Sequence, residues 1–217
     1  MRHWRMNRSS PGQPRAVAVM FAVGSGGTCI DVTVTNVPEG RRAMKEAVAE
    51  LATLLGKPEF VPSLVDWKGV ERRLGTTLPL DYKEFCALYP AFIADDFIRV
   101  DHPSCRNENM NLVKDGWERT SELKGLVEDF PEQYAFGAFP DIGGLLCWGS
   151  STSSEQLYWL TVGQADDWNV VAGDYQDDHL VFDGGFAEFL VEIFKGRLNT
   201  PVLGDYSTPL RKIKYIR

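Results

Sequence analysis

The run Val65-Asp66-Trp67-Lys68-Gly69-Val70-Glu71-Arg72-Arg73-Leu74-Gly75-Thr76-Thr77-Leu78-Pro79-Leu80-Asp81-Tyr82-Lys83-Glu84-Phe85 holds two helices and the corner that joins them. Leu64, Trp67, Val70 and Leu74 recur at helical spacing and form one apolar stripe. Ser63-x-x-Asp66 resembles a capping box, with Asp in the place of the usual Glu or Gln. Gly75 can close that helix in the left-handed conformation. Pro79 suits the first position of the next helix, where a missing N–H costs nothing. That helix, over about 79–89, predicts Tyr82, Phe85, Cys86 and Tyr89 on its buried side and Pro90 as its stop.

Upstream, Pro38-Glu39-Gly40 opens a longer helix that Gly56 and Pro58 end. Met44, Ala47, Val48, Leu51, Leu54 and Leu55 share its apolar face. Before it, 16–23 and 29–35 read as a β-hairpin around Gly24-Ser25-Gly26-Gly27, and 1–14, with Pro11 and Pro14, as a disordered tail. Arg2, Arg5, Arg8 and Arg15 ahead of the apolar run 16–23 loosely imitate a secretion signal. The basic stretch is too long for one, and no small-residue cleavage site follows. Gly24-x-Gly26 also fails as a phosphate loop. Cys29 stands at the third glycine position, no Lys follows, and what comes next is strand-like rather than helical.

Downstream, residues 97–100 read as a strand, 102–111 as a loop and 116–130 as a helix. Then 134–139, 142–148, 157–162, 168–172 and 179–182 are short, aromatic-rich and separated by Gly, Ser or Asp, which predicts sequential antiparallel strands. Asp183-Gly184-Gly185 leads into a last helix with Phe186, Phe189, Leu190, Ile193 and Phe194 on one side, ended by Gly196. Residues 197–217 read as an extended surface tail. Helices mostly early and strands mostly late predict an α+β fold, an antiparallel-rich sheet packed with helices. The expected organisation is a tail (1–14), a hairpin-plus-helix extension (15–60), a main domain (61–200) and a C-terminal tail (201–217).

The 217 residues are 44% hydrophobic and 24% charged, with a net charge of −7, which excludes wholesale disorder. The longest apolar run is eight residues against the about 20 that a membrane span requires. Cys29, Cys86, Cys105 and Cys147 have no paired spacing, so free thiols and a cytoplasmic location are expected. His3, His102 and His179 are scattered singly, so no metal or cofactor is expected.

The 65–85 run resembles the opening of the SMI1/KNR4 family, the core of the SUKH superfamily, whose pattern is a Trp-bearing helix, "E..LG..LP.DYK.F" and a sheet. Later blocks agree in order: Gly143-Gly144-Leu145-Leu146-Cys147-Trp148-Gly149, Leu157-Tyr158-Trp159-Leu160, Asp166-Asp167-Trp168-Asn169-Val170-Val171, and Phe182-Asp183-Gly184-Gly185-Phe186-Ala187-Glu188-Phe189-Leu190. The resemblance covers about 64–200. It implies a SUKH fold and a protein-binding role. Bacterial members are inferred to be immunity proteins that neutralise toxins, often nucleases, and fungal members are regulators or scaffolds. It implies no catalytic residue. The motifs themselves read as architecture: a two-helix corner, core tryptophans and a Gly-Gly turn, and fold alone does not deliver function.

Charge placement is independent of that resemblance. Residues 125–194 contain 13 acids and no Lys or Arg, which leaves 17 acids against 23 bases elsewhere. A single-sign surface steers cationic partners and repels nucleic acid. Trp148, Tyr158, Trp159, Trp168 and Tyr175 interleave with these acids, and aromatic anchors ringed by charge suit a tight interface. The expected partner-binding residues are therefore Trp148, Glu155, Tyr158, Asp166, Asp167, Trp168, Asp174, Tyr175, Asp177 and Asp178. The plainer reading makes these acids solvated turn residues. The expected partner is a cognate, cationic protein toxin bound by a monomer, with no nucleic acid and no membrane; a regulatory scaffold and a small hydrolase are the alternatives. Asp178-His179 is poorly placed as an acid–base pair, because strand neighbours point to opposite faces. No nucleophile elbow, metalloprotease motif, phosphate loop or calcium loop is present, so no enzyme is expected.

Overall fold

In the computed structural model the described residues are 16–17, 37–173, 179–198, 200–203 and 209–217. They form an α+β structure. Helices α1 (Val37–Leu55), α2 (Trp67–Leu74), α3 (Leu80–Leu88), α4 (Trp117–Asp129) and α5 (Phe186–Phe194) accompany strands β1 (Ala16–Val17), β2 (Phe92–Ala94), β3 (Ile98–Val100), β4 (Leu145–Ser151), β5 (Gln156–Leu160), β6 (Asn169–Gly173), β7 (His179–Phe182) and β8 (Ile213–Tyr215). The strands make one sheet in the order β1-β7-β6-β5-β4-β3-β2-β8, with every neighbouring pair antiparallel.

Alternation along the central strands fills both faces of the sheet. Leu146, Trp148, Leu157, Trp159, Val170 and Ala172 enter the core shared with α1, α3 and α5. Their neighbours Leu145, Cys147, Tyr158 and Val171 enter a second core with Leu123 of α4, against which Val127 packs. Ala47, Val48, Leu51 and Leu55 of α1 belong to the first core, so the helix predicted as an extension is built into the main body.

The 65–85 corner forms much as its residues dictate. Gly75 takes φ 76° and its N–H reaches the Glu71 carbonyl at 2.8 Å. Two details differ from expectation. The α2 cap is Asp66, which accepts from Gly69 N at 3.1 Å, so the box proposed from Ser63 does not form. Pro79 precedes α3 as its N-cap instead of occupying the first helical position.

Other boundaries are corrected. Residues 134–139 are not a strand: a 3₁₀ turn at Pro131–Gln133 leads to a single parallel bridge, Ala138 to Leu145. Gly143 (φ 73°) and Gly144 turn the chain into β4, and a Cβ on Gly144 would overlap the Ala138 carbonyl, so only glycine fits there. The C-terminal tail is not loose surface chain, since β8 pairs with β2 and closes one sheet edge. Asp95 (φ 49°) and Asp96 (φ 55°) turn β2 into β3, and the Asp95 carboxylate accepts from Arg211 N and Lys212 N, which fixes the approach to β8. Of the predicted N-terminal hairpin, Ala16–Val17 pairs with β7 and 18–36 lie outside the described residues, as does the 1–14 tail.

Candidate functional site

The aromatic half of the predicted interface is core. Trp148 is fully buried, with its ring 4.9 Å from Phe186 and 6.1 Å from Trp159. Trp168 is buried 6.3 Å from Trp159, and Tyr158 is buried on the opposite sheet face under α4. These three are withdrawn as partner contacts. The physical reason is that β4 and β5 are central strands packed on both faces, so alternation turns neither Trp148 nor Tyr158 toward solvent, while Trp168, just before β6, packs into the first core.

The acids divide further. Asp166 Oδ1 accepts from Leu80 N at 2.8 Å and caps α3, so this carboxylate is committed to the fold. Glu155 is half-buried and bonded to the Ser151 hydroxyl. Asp167 is exposed. Asp174, Tyr175, Asp177 and Asp178 lie outside the described residues. Asp178 of the Asp178-His179 pair also lies outside the described residues, and the His179 ring sits 5.5 Å from Phe136.

A different acidic surface emerges at the C-terminal end of α4 and the turn before β4. Glu128, Asp129, Glu132 and Asp141 are exposed there. So are two large apolar side chains, Phe130 at 46% and Ile142 at 103% of full exposure. Lys124 of α4 reaches Asp141 at 3.7 Å, and Leu123 and Val127 pack with Ala138 and Leu145, which joins the two segments. Among the described residues, Glu128, Asp129 and Glu132 have no cationic nitrogen within 4.0 Å. Carboxylates near a helix C-terminus also face the negative end of its dipole, so this end of the molecule concentrates uncompensated charge.

Two buried polar centres escaped the sequence reading. Arg119 of α4 donates to Asp101 Oδ2 at 2.6 Å, to Gln156 Oε1 at 3.1 Å and to the Asp115 carboxylate. Asp101 has no exposed side-chain surface, and burial pushes its carboxyl up to about 7 despite the guanidinium. Asp81 is 1% exposed; its carboxylate accepts from Tyr82 N at 2.7 Å and from Ala187 N at 2.9 Å, in the first turn of α5. Burial pushes it up to about 6, against the lowering effect of those two amides and with help from Glu188 and Asp166. A single Arg on a helix and an Asp in a first turn are ordinary surface signals, so nothing local marked either residue as buried.

The Asp81 shift carries a pH prediction. The folded chain keeps a proton on Asp81 that the unfolded chain has already released between about pH 3.8 and about pH 6. Its contribution to stability therefore falls as pH rises through that window, by about 2–3 kcal/mol. Urea unfolding of the wild type and of Asp81→Asn across this range should show the wild type losing ground to the variant as pH increases. Parallel curves would place the Asp81 titration near its ordinary value.

His102 is likewise buried. Its Nδ1 accepts from Ser104 N at 3.1 Å, which leaves Nε2–H to donate to the Cys86 carbonyl at 3.1 Å. Burial lowers its pKa, so the ring is neutral and both nitrogens are occupied. Cys86, Cys105 and Cys147 are free and buried, with burial raising each thiol's pKa. Among the described residues no three His, Cys, Asp or Glu side chains gather as a metal would require, and no helix is long and apolar enough to cross a membrane. No family model matches the chain, and no curated protein or solved structure matches it, so what this surface can do rests on its own residues.

Proposed function

We propose that the chain is a protein-binding module of the SMI1/KNR4 type with a SUKH fold, an immunity protein that captures a cationic toxin and blocks its active site. The observation that carries this reading is the exposed pairing of uncompensated acids (Glu128, Asp129 and Glu132) with the apolar Phe130 and Ile142. Apolar side chains that seat in a partner's pockets supply affinity, and a surrounding single-sign field supplies approach and selectivity. The interface proposed here differs from the one expected from sequence, because the central tryptophans are internal and Asp166 holds α3. Asp167 remains a separate exposed candidate.

The test is co-expression with the product of the neighbouring gene, scored by growth, followed by association kinetics on the isolated pair. Rescue of growth and an association rate that falls steeply with salt are expected. Reversing Glu128, Asp129 and Glu132 to Lys should slow association about ten- to hundredfold with the dissociation rate little changed. A partner whose association ignores both salt and these reversals would sink the acidic-surface reading.

A further inference from the structure

A separate cavity of about 270 Å³ opens where the 60–63 segment, the start of β2, the 102–106 loop and the end of β8 meet. Phe60, Val61, Pro62, Pro90, Ala91 and Ile216 line part of it, and polar groups line the larger share. Its polar floor is neutral. His102 has both nitrogens engaged, and the Ser104 hydroxyl lies 3.0 Å from His102 Nδ1. None of the twelve lining residues carries an acidic side chain, although the protein as a whole is at −7.

Two of the lining residues are arginines, Arg106 and Arg217. Among the described residues, neither guanidinium has a carboxylate side chain within 4.0 Å. The position of Arg217 is fixed. Ile216 N donates to the Ala91 carbonyl at 2.8 Å, Asn107 N donates to the Arg217 carbonyl at 3.1 Å, and the guanidinium stands 4.8 Å over the Phe60 ring. Two guanidinium forks beside apolar side chains can take a carboxylate while a short apolar body rests against those side chains. The volume lies at the small end of ligand pockets, which restricts the occupant to a compact molecule.

We infer that this cavity is a binding site for a small organic carboxylate, with the carboxylate held by Arg106 and Arg217 and the apolar portion resting against Phe60, Pro90 and Ile216. It is independent of the acidic surface proposed above. His102 acts as a fixed neutral floor, with no role in proton transfer or metal binding.

The experiment is an amide-shift titration of the full chain with benzoate, with methyl benzoate as the uncharged isostere and inorganic phosphate as an anion lacking an apolar body. Saturable shifts at Ala91, Ser104, Cys105 and Ile216 are expected with benzoate, with at least tenfold weaker response to the ester and to phosphate. Arg106→Gln with Arg217→Gln should weaken benzoate at least tenfold and leave the spectrum elsewhere unchanged. Both arginine side chains sit at the exposed end of the cavity, so the fold should survive the change. Equal binding of ester and acid, unaltered binding by the double variant, or shifts that never saturate would each overturn the assignment. Equal binding of phosphate would reduce the site to a simple anion patch and overturn the apolar part of it.

Discussion

Arg119→Met is expected to lower the unfolding free energy by about 3–5 kcal/mol, read as a shift of the urea midpoint at unchanged slope. The substitution keeps much of the side-chain volume but removes the one cation that, among the described residues, is ion-paired with Asp101, whose carboxylate has no exposed surface. Asp101 Oδ1 already lacks a hydrogen-bond partner, so loss of the 2.6 Å contact at Oδ2 leaves the carboxyl without a side-chain partner. Gln156 and Asp115 lose their shared donor at the same time. Adding Asp101→Asn to Arg119→Met should recover part of the loss, because the buried carboxyl that has lost its donor is removed, and the double-mutant cycle gives the coupling directly. A loss below about 1 kcal/mol would mean that water reaches the pair and that it behaves as an exposed ion pair.

Trp148→Ala is expected to cost about 3–5 kcal/mol, through lost burial and the cavity left among Trp159, Phe186 and Phe189. The variant separates two roles that the sequence leaves open. A ring used as a surface anchor would weaken partner binding with stability intact. A ring packed between β4 and α5 weakens the fold first, and binding suffers only as the folded population falls. Near-ultraviolet circular dichroism beside the unfolding curve distinguishes them, since the tryptophan signal should collapse with the packing.

The corner at 65–85 was legible because its chemistry is local: a glycine that takes positive φ, a proline before a helix, an apolar residue every third or fourth position. The direction of the tryptophans was not. A strand buried on both faces carries the same alternation as one with a wet face, and only the helix layers on either side decide between them. The roles of Asp166 and Asp81 were hidden for a related reason, since their acceptor groups serve amides 86 and 106 residues away. β8 did carry a signal. Ile213-Lys214-Tyr215 alternates, with both apolar residues half-buried and the lysine exposed, but three residues are too few to stand out from a tail. The acidic block was legible in amount, but composition counts charges without saying which of them the backbone consumes, as it does that of Asp166.

Those two long-distance caps have a kinetic consequence. The Leu80 amide of α3 and the Ala187 amide of α5 find their acceptors only when the 166 region meets residue 80 and residue 81 meets residue 187. Neither helix, at nine residues each, can persist alone before that encounter. Capping of both helix starts thereby waits on the closing of large loops, whose entropic cost the rest of the core must offset.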